Sequence, residues 1–258
     1  MTPSSDGTHT TSAITNKNSP LVEFKNATKR YGKNLAVSDL NLSLAPGELF
    51  GFLGPNGAGK TTAMKMAVGL IRMTEGNVII AGHDIQKEPI LAKRLVGFVP
   101  DSPYIYDSLT GREFLYYCAG LYKMNHDETS SQVESLFEKF KIGKWADNRA
   151  GEYSHGMKQR VVMASAFLHS PRVIMIDEPM VGLDPGGVKL VKGVLQEFTA
   201  GGGTVFLSTH TLSVAEEVCE RIGIIKSGKL IALGSQDDIV EKDVRLEDFF
   251  LALTSEPL

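Results

Sequence analysis

The sequence predicts an α/β fold carrying a helical insertion, and three observations predict it. Short apolar runs with strand character recur along the chain, at Leu49–Leu53, 78–81, Val96–Val99 and 173–176. The first of these runs straight into a glycine-rich loop that opens an apolar helix. Between Thr110 and about His169 the pattern turns helical with no strand interleaved, and the α/β pattern resumes at Val173.

The elements follow in order. Residues 1–20 hold Thr, Ser, Asn, Pro and Gly, with Ile14 the only bulky aliphatic. Such a segment buries too little apolar surface to offset chain entropy and is expected to be a disordered tail. Order is expected from Leu21, in a single domain over 21–258. Residues 21–24 read as a strand, and Leu40, Leu42 and Leu44 alternate with Asn41 and Ser43 as a half-buried strand. Pro46-Gly47 is a turn. The helix after the glycine-rich loop reads as 63–70. Thr110-Gly-Arg-Glu113 is a capping box opening a helix over 114–122. Val133, Leu136, Phe137 and Phe140 recur at helical spacing, and another helix follows Ser154. Further on come a helix (188–198), a glycine break (201–203), a strand (204–207) and a helix (212–219). Residues 222–225 and 230–233, joined by Ser227-Gly228, form a terminal hairpin. Leu246, Phe249, Phe250 and Leu253 suggest a last amphipathic helix packed on the domain.

Composition sets limits. The chain has 258 residues, 42% of them hydrophobic, which allows a sizeable core and excludes a wholly disordered protein. With 27 Lys and Arg against 30 Asp and Glu the net charge is −3, so no nucleic-acid partner is expected. The two cysteines, Cys118 and Cys219, make no disulfide framework, and a reducing compartment follows. No apolar run of about 18 residues is available to span a bilayer, and the N-terminus lacks a secretory pattern.

The chemistry begins at Gly54-Pro55-Asn56-Gly57-Ala58-Gly59-Lys60-Thr61, a full GxxxxGK[ST] phosphate loop, with Thr62 beside it at the helix start. Glycines let backbone N–H groups curl around a phosphate, and the helix N-terminus adds partial positive charge. Lys60 suits the β- and γ-phosphates of a nucleotide, and the Thr61 hydroxyl suits Mg²⁺. A second site closes the apolar strand before Asp177-Glu178. A strand tip is where open α/β sheets place ligands. Adjacent strand residues face opposite ways, so the two acids divide the work: Asp177 toward Mg²⁺ through water, Glu178 as general base on the attacking water.

With these motifs in order, residues 21–233 resemble the ATP-binding cassette (ABC) ATPases. That resemblance implies a P-loop NTPase of ABC type, with a mainly parallel core sheet, an antiparallel β subdomain and an inserted helical subdomain at about 102–170. It implies that Tyr31 stacks on adenine. Tyr153-Ser-His-Gly-Met-Lys-Gln-Arg160 is similar to the family signature, in which Ser154 and Gly156 would bind the γ-phosphate of ATP held by a second subunit. Asp184 falls in the loop that contacts the opposite subunit and, before Pro185, also reads as a helix cap. His210 matches the switch histidine that contacts the γ-phosphate and orients water. Two departures stand out. Asp101 occupies the place of a Gln that touches Mg²⁺, and His155 and Met157 replace a Gly and a Gln of the signature. Both departures resemble the single-cassette type-two bacterial exporters.

The implied function is the ATP-hydrolysing subunit of a transporter, an exporter by that likeness, with ATP and Mg²⁺ as cofactors. Its implied partners are a second copy bound head to tail, or a homologous ATPase subunit, and an integral membrane permease. Its implied place is the cytoplasmic face of the inner membrane. Two other classes stay open: a soluble ABC protein acting on ribosomes or DNA, and a non-hydrolysing regulatory module. The single cassette and acidic balance weigh against the first, and Glu178 with His210 against the second.

Overall fold

The computed structural model describes residues 19–235 together with Asp238, Glu247, Asp248 and Phe250. Two sheets organise it. The first is antiparallel, in the order β2-β1-β4-β5, built from β1 (Val22–Tyr31), β2 (Asn34–Leu44), β4 (Glu75–Ile80) and β5 (His83–Asp84). The second has six strands in the order β10-β9-β3-β8-β7-β6. Its members are β3 (Leu49–Leu53), β6 (Val96–Val99), β7 (Val173–Asp177), β8 (Thr204–Thr209), β9 (Arg221–Lys226) and β10 (Lys229–Ser235). All neighbours in it are parallel except the β9–β10 hairpin. This is the mainly parallel core with an antiparallel partner sheet that the family resemblance implies.

The apolar runs read as continuous because the core strands are covered on both faces. Along β3, Phe50 and Phe52 pack toward the antiparallel sheet and α1 (Lys60–Ala67), while Leu49 and Leu53 pack toward the helical side. In β7, Val173 and Met175 face the first core, Ile174 and Ile176 the second. In β8, Phe206 joins the ring cluster of Phe24, Phe50 and Phe52, with centroids 5.2–5.9 Å away, and Val205 and Leu207 face the other side. Period-two alternation thus divides one sheet between two cores.

Between β6 and β7 the chain is helical: α3 (Gly111–Tyr122), α4 (His126–Lys139), a 3₁₀ turn at Ala150–Glu152, and α5 (His155–Phe167). The capping box forms as read. Thr110 Oγ1 accepts from Glu113 N (3.1 Å) and the Glu113 carboxylate accepts from Thr110 N (2.8 Å). Tyr153, just ahead of α5, ties this region together. Its hydroxyl accepts the Gly111 N–H (3.0 Å) and stands 3.0–3.3 Å from the carbonyls of Trp145, Ala146 and Asn148. The remaining helices are α2 (Pro89–Lys93), α6 (Pro185–Ala200) and α7 (Leu212–Val218).

Several elements differ from the sequence reading. β1 continues past Phe24 to Tyr31 through a register shift at Asn26, whose φ of 51° and side-chain bond to Asp39 (2.7 Å) carry the irregularity. α1 starts at Lys60 and ends at Ala67, because Gly69 adopts φ 66° and stops the helix. β5 and α2 are two and five residues long, too short for periodicity to reveal. Of the expected terminal elements, the tail at 1–18 and Leu246, Phe249 and Leu253 lie outside the described residues. Phe250 is helical and buried in the helical-side core.

Candidate nucleotide-binding and hydrolysis site

A cleft of about 730 Å³ opens where the carboxyl ends of β3, β7 and β8 meet the first sheet. Twelve sequence-predicted residues line it: Tyr31, Asn56, Gly57, Ala58, Gly59, Lys60, Thr61, Thr62, Asp101, Asp177, Glu178 and His210. The loop that leaves β3 can take its shape only with glycine at Gly59, whose φ is 113° and where a Cβ would fall 2.4 Å from the Ala36 carbonyl. Gly54 and Pro55 do not line the cleft, and their carbonyls accept from Lys60 Nζ at 2.6 and 3.2 Å. Burial holds the Lys60 ammonium below its ordinary pKa, against the opposing pull of the Glu178 and Asp177 carboxylates.

The two acids are held apart, but not by strand alternation. Asp177, only 2% exposed, ends β7 and is gripped on both oxygens. Thr61 Oγ1 donates to its Oδ2 at 2.7 Å and the Ser208 hydroxyl donates to its Oδ1. Glu178 has left the strand: its φ is 52°, in the left-handed region, while its N–H still donates to Ser208 O at 3.0 Å. The turn swings its carboxylate to β8, where Thr209 Oγ1 donates to Oε2 (3.0 Å) and the His210 backbone N–H to Oε1 (3.0 Å). His210 Nδ1 lies 2.7 Å from the same Oε1. So strand alternation is not what separates the pair; a backbone turn is.

Asp101 is exposed on the cleft wall, and its carboxylate accepts the neighbouring Ser102 N–H at 2.9 Å. Tyr31 offers a half-exposed ring, with Lys29 Nζ 4.8 Å from its centroid. Ser154, Gly156 and Asp184 do not line this cleft. Ser154 caps α5, its Oγ accepting Met157 N at 3.2 Å. Asp184 caps α6, accepting Gly187 N at 2.8 Å, and pairs with Arg160 at 3.6 Å. The cap half of the double role read for Asp184 is therefore present.

Sequence reasoning missed several members of the site. Ser208 and Thr209 supply the hydroxyls that hold the two acids, although the Ser-Thr-His run pointed at the place. The opposite wall comes from Asn34, Leu35, Ala36, Ser227 and Gly228. The hairpin turn docks there because Gly228 N donates to Ala58 O and Ser38 N to Gly228 O, both at 2.8 Å. Ser-Gly announced a turn, but nothing in it announced a cleft wall.

A phosphate loop, a lysine, a threonine–aspartate pair and a buried-edge glutamate on one cleft are shared by many nucleotide hydrolases, so the wider comparison decides. The family model described as ABC transporter matches residues 37–181, more than half the chain. The chain belongs to that family. The linearmycin resistance ATP-binding protein of Bacillus subtilis is 34% identical over 222 residues, 86% of this chain and 71% of that protein. The Nod factor export ATP-binding protein I of Burkholderia orbicola is 36% identical over 223 residues, 86% of this chain and 73% of that protein. A solved ATP-binding subunit of an ABC transporter superposes with a TM-score of 0.84 at 30% identity, covering 90% of this chain and 99% of that one. This ABC subunit binds ATP, hydrolyses it and works with a membrane permease. Among its described residues no helix is long and apolar enough to cross a membrane.

Proposed function

We propose that two copies of this subunit, or one copy and a homologous subunit, close head to tail over two ATP molecules and drive a separate permease as an exporter. The names of the linearmycin resistance and Nod factor export relatives support the direction. The reading places the pair on the cytoplasmic face of the inner membrane, as one domain over 21–258 with its helical subdomain at about 102–170.

The observation that carries the proposal is a division of donors. The phosphate loop, Asp177, Glu178 and His210 share one cleft, whereas Ser154 and Gly156 sit at the exposed N-terminus of α5, outside it. An α-helix N-terminus has unsatisfied N–H groups suited to an anion. In this chain only the Ser154 cap bond to Met157 N occupies the side chain there. A second copy's γ-phosphate would supply the anion.

Within each cleft the roles follow from position. Tyr31 takes the adenine on its exposed ring face. Lys60 exchanges the carbonyls of Gly54 and Pro55 for the β- and γ-phosphates, a stronger partner for a partly desolvated ammonium. Thr61, Asp177 and Asp101 offer only hard oxygen donors, the set Mg²⁺ prefers, and so fit that ion. With so few protein oxygens at hand, nucleotide phosphates and water would supply the rest of the shell. Mg²⁺ bound there neutralises developing charge on the phosphates. Glu178 accepts a proton from the attacking water, and His210 orients its carboxylate through the 2.7 Å contact. Phosphoryl transfer to that water gives ADP and inorganic phosphate, after which the copies separate.

Glu178→Gln tests this. It keeps the Thr209 and His210 neighbourhood but removes the base, so the variant binds ATP, hydrolyses about 10²–10⁴-fold more slowly and elutes as a dimer in MgATP on size exclusion. A variant that stays monomeric at saturating ATP contradicts the two-copy site.

A further inference from the structure

The signature departs from its family pattern at His155, and the fold gives that side chain a definite seat. Gly182, four residues beyond Glu178, has φ 76°, and a Cβ built there would fall 2.4 Å from His155 Cδ2 and 3.0 Å from Nε2. The imidazole therefore lies directly on the glycine. Its neighbours repeat the contact. A Cβ at Gly156 would stand 3.5 Å from both Gly182 O and Leu183 Cδ2, and Arg160 pairs with Asp184 at 3.6 Å. One helical turn past His155 on the same helix, Gln159 is 1% exposed, and neither end of its amide has a hydrogen-bond partner among the described residues. A buried unpaired amide is costly, so this helix end carries polar capacity that packing alone does not explain. The loop it rests against is tied to itself by two long turn bonds, Val181 N to Glu178 O at 3.4 Å and Leu183 N to Met180 O at 3.3 Å.

We propose that His155 is a positioning residue for hydrolysis: seated on Gly182, it fixes the loop 178–184 to the signature turn of the same subunit, so that a phosphate arriving at Ser154 is felt at Asp184 and Glu178. The proposal rests on the two-copy reading above. It gives a physical use to the departure from glycine at this position, since a glycine would leave Gly182 uncovered. The imidazole does not line the cleft of its own chain, so its effect falls on turnover and not on ATP affinity.

The test is a double-mutant cycle on the full chain reconstituted with its permease, read as steady-state kcat and KM for ATP. Gly182→Ala lowers kcat about tenfold or more, because its methyl group must displace the imidazole, and leaves KM within about twofold. His155→Ala lowers kcat several-fold. In the double variant the methyl group has room, and kcat rises over Gly182→Ala alone toward, but not above, that of His155→Ala, a recovery that distinguishes contact from φ strain, which persists in both. Effects that simply multiply overturn the proposal. Should Gly182→Ala not fold, His155→Asn decides: it keeps a planar polar group over Gly182 and retains more kcat than His155→Ala, whereas equal kcat in both overturns the assignment. Each variant is also made with Glu178→Gln. A cycle without coupling beside a normal ATP-bound dimer removes the role of His155 alone, and loss of that dimer in the Glu178→Gln parent removes the two-copy reading beneath it.

Discussion

Removing the Ser208 hydroxyl exposes how the site holds its charge. Asp177 is almost wholly buried, and its two oxygens are held by Thr61 and Ser208. Ser208 is itself fully buried on the central strand β8, beside Asp177 in the parallel register. Ser208→Ala deletes one oxygen atom, leaves a void smaller than a water, and deprives a buried carboxylate of one charge-assisted bond. A hydrogen bond to a charged group is worth about 1.5–3 kcal/mol. At roughly 2–4 °C per kcal/mol for a domain of this size, the melting temperature falls by about 3–12 °C. Thermal unfolding followed by circular dichroism, without nucleotide, reads it. Asp177→Ala and the double variant complete the cycle, and the pair couples by more than about 0.5 kcal/mol because the sites share one bond. A Ser208→Ala protein that melts with the wild type, or a cycle that adds, refutes the claim that this hydroxyl anchors Asp177.

Tyr31→Ala removes an exposed ring without disturbing the core, so KM for ATP rises about tenfold, the value of one base–aromatic stack, while kcat holds; equal KM values in a turnover assay count against adenine stacking. His169, stacked on Tyr122 with centroids 3.8 Å apart and bonded to Val96 O at 3.2 Å, has its pKa pushed down to about 4 by burial. The unfolded chain therefore binds the extra proton first, and stability present above about pH 6.5 is lost as pH falls toward 4. His169→Phe keeps a ring on Tyr122 but cannot charge, so its melting temperature falls less steeply between pH 6.5 and 4 than that of the wild type.

The sequence carried the local devices well because each is closed within a few residues. The Thr110–Glu113 box, the glycine loop before α1 and the Asp184–Pro185 cap all form as read. Alternation along Leu49–Leu53 and Val173–Asp177 was hidden, since both faces of those strands are buried, and only the packed sheet reveals which side each residue serves. Contacts made across the fold were the least legible. Glu178 leaves its strand through a left-handed turn that no residue type announces, and glutamate is not a usual occupant of that region. Ser208 and Thr209 acquire their partners from the end of β7 and the turn after it, 31 residues away, and Ser227-Gly228 becomes a cleft wall only because β9 lies beside β3. His155 read as a departure from a pattern, and its seat on Gly182 exists only in three dimensions.

The central claim is that each hydrolysis site is built from two chains, and complementation between two inactive variants measures it. Lys60→Ala disables the cleft but leaves the signature whole. Gly156→Asp puts a carboxylate where the second copy's phosphate would arrive, at a position whose surroundings admit a side chain. Each homodimer is inactive. Mixed in equal amounts, half the dimers are hybrids with one intact site of two, so ATP turnover with the permease returns to about one quarter of the wild-type rate. A mixture as inactive as its components, with hybrid dimers demonstrably formed, contradicts the account.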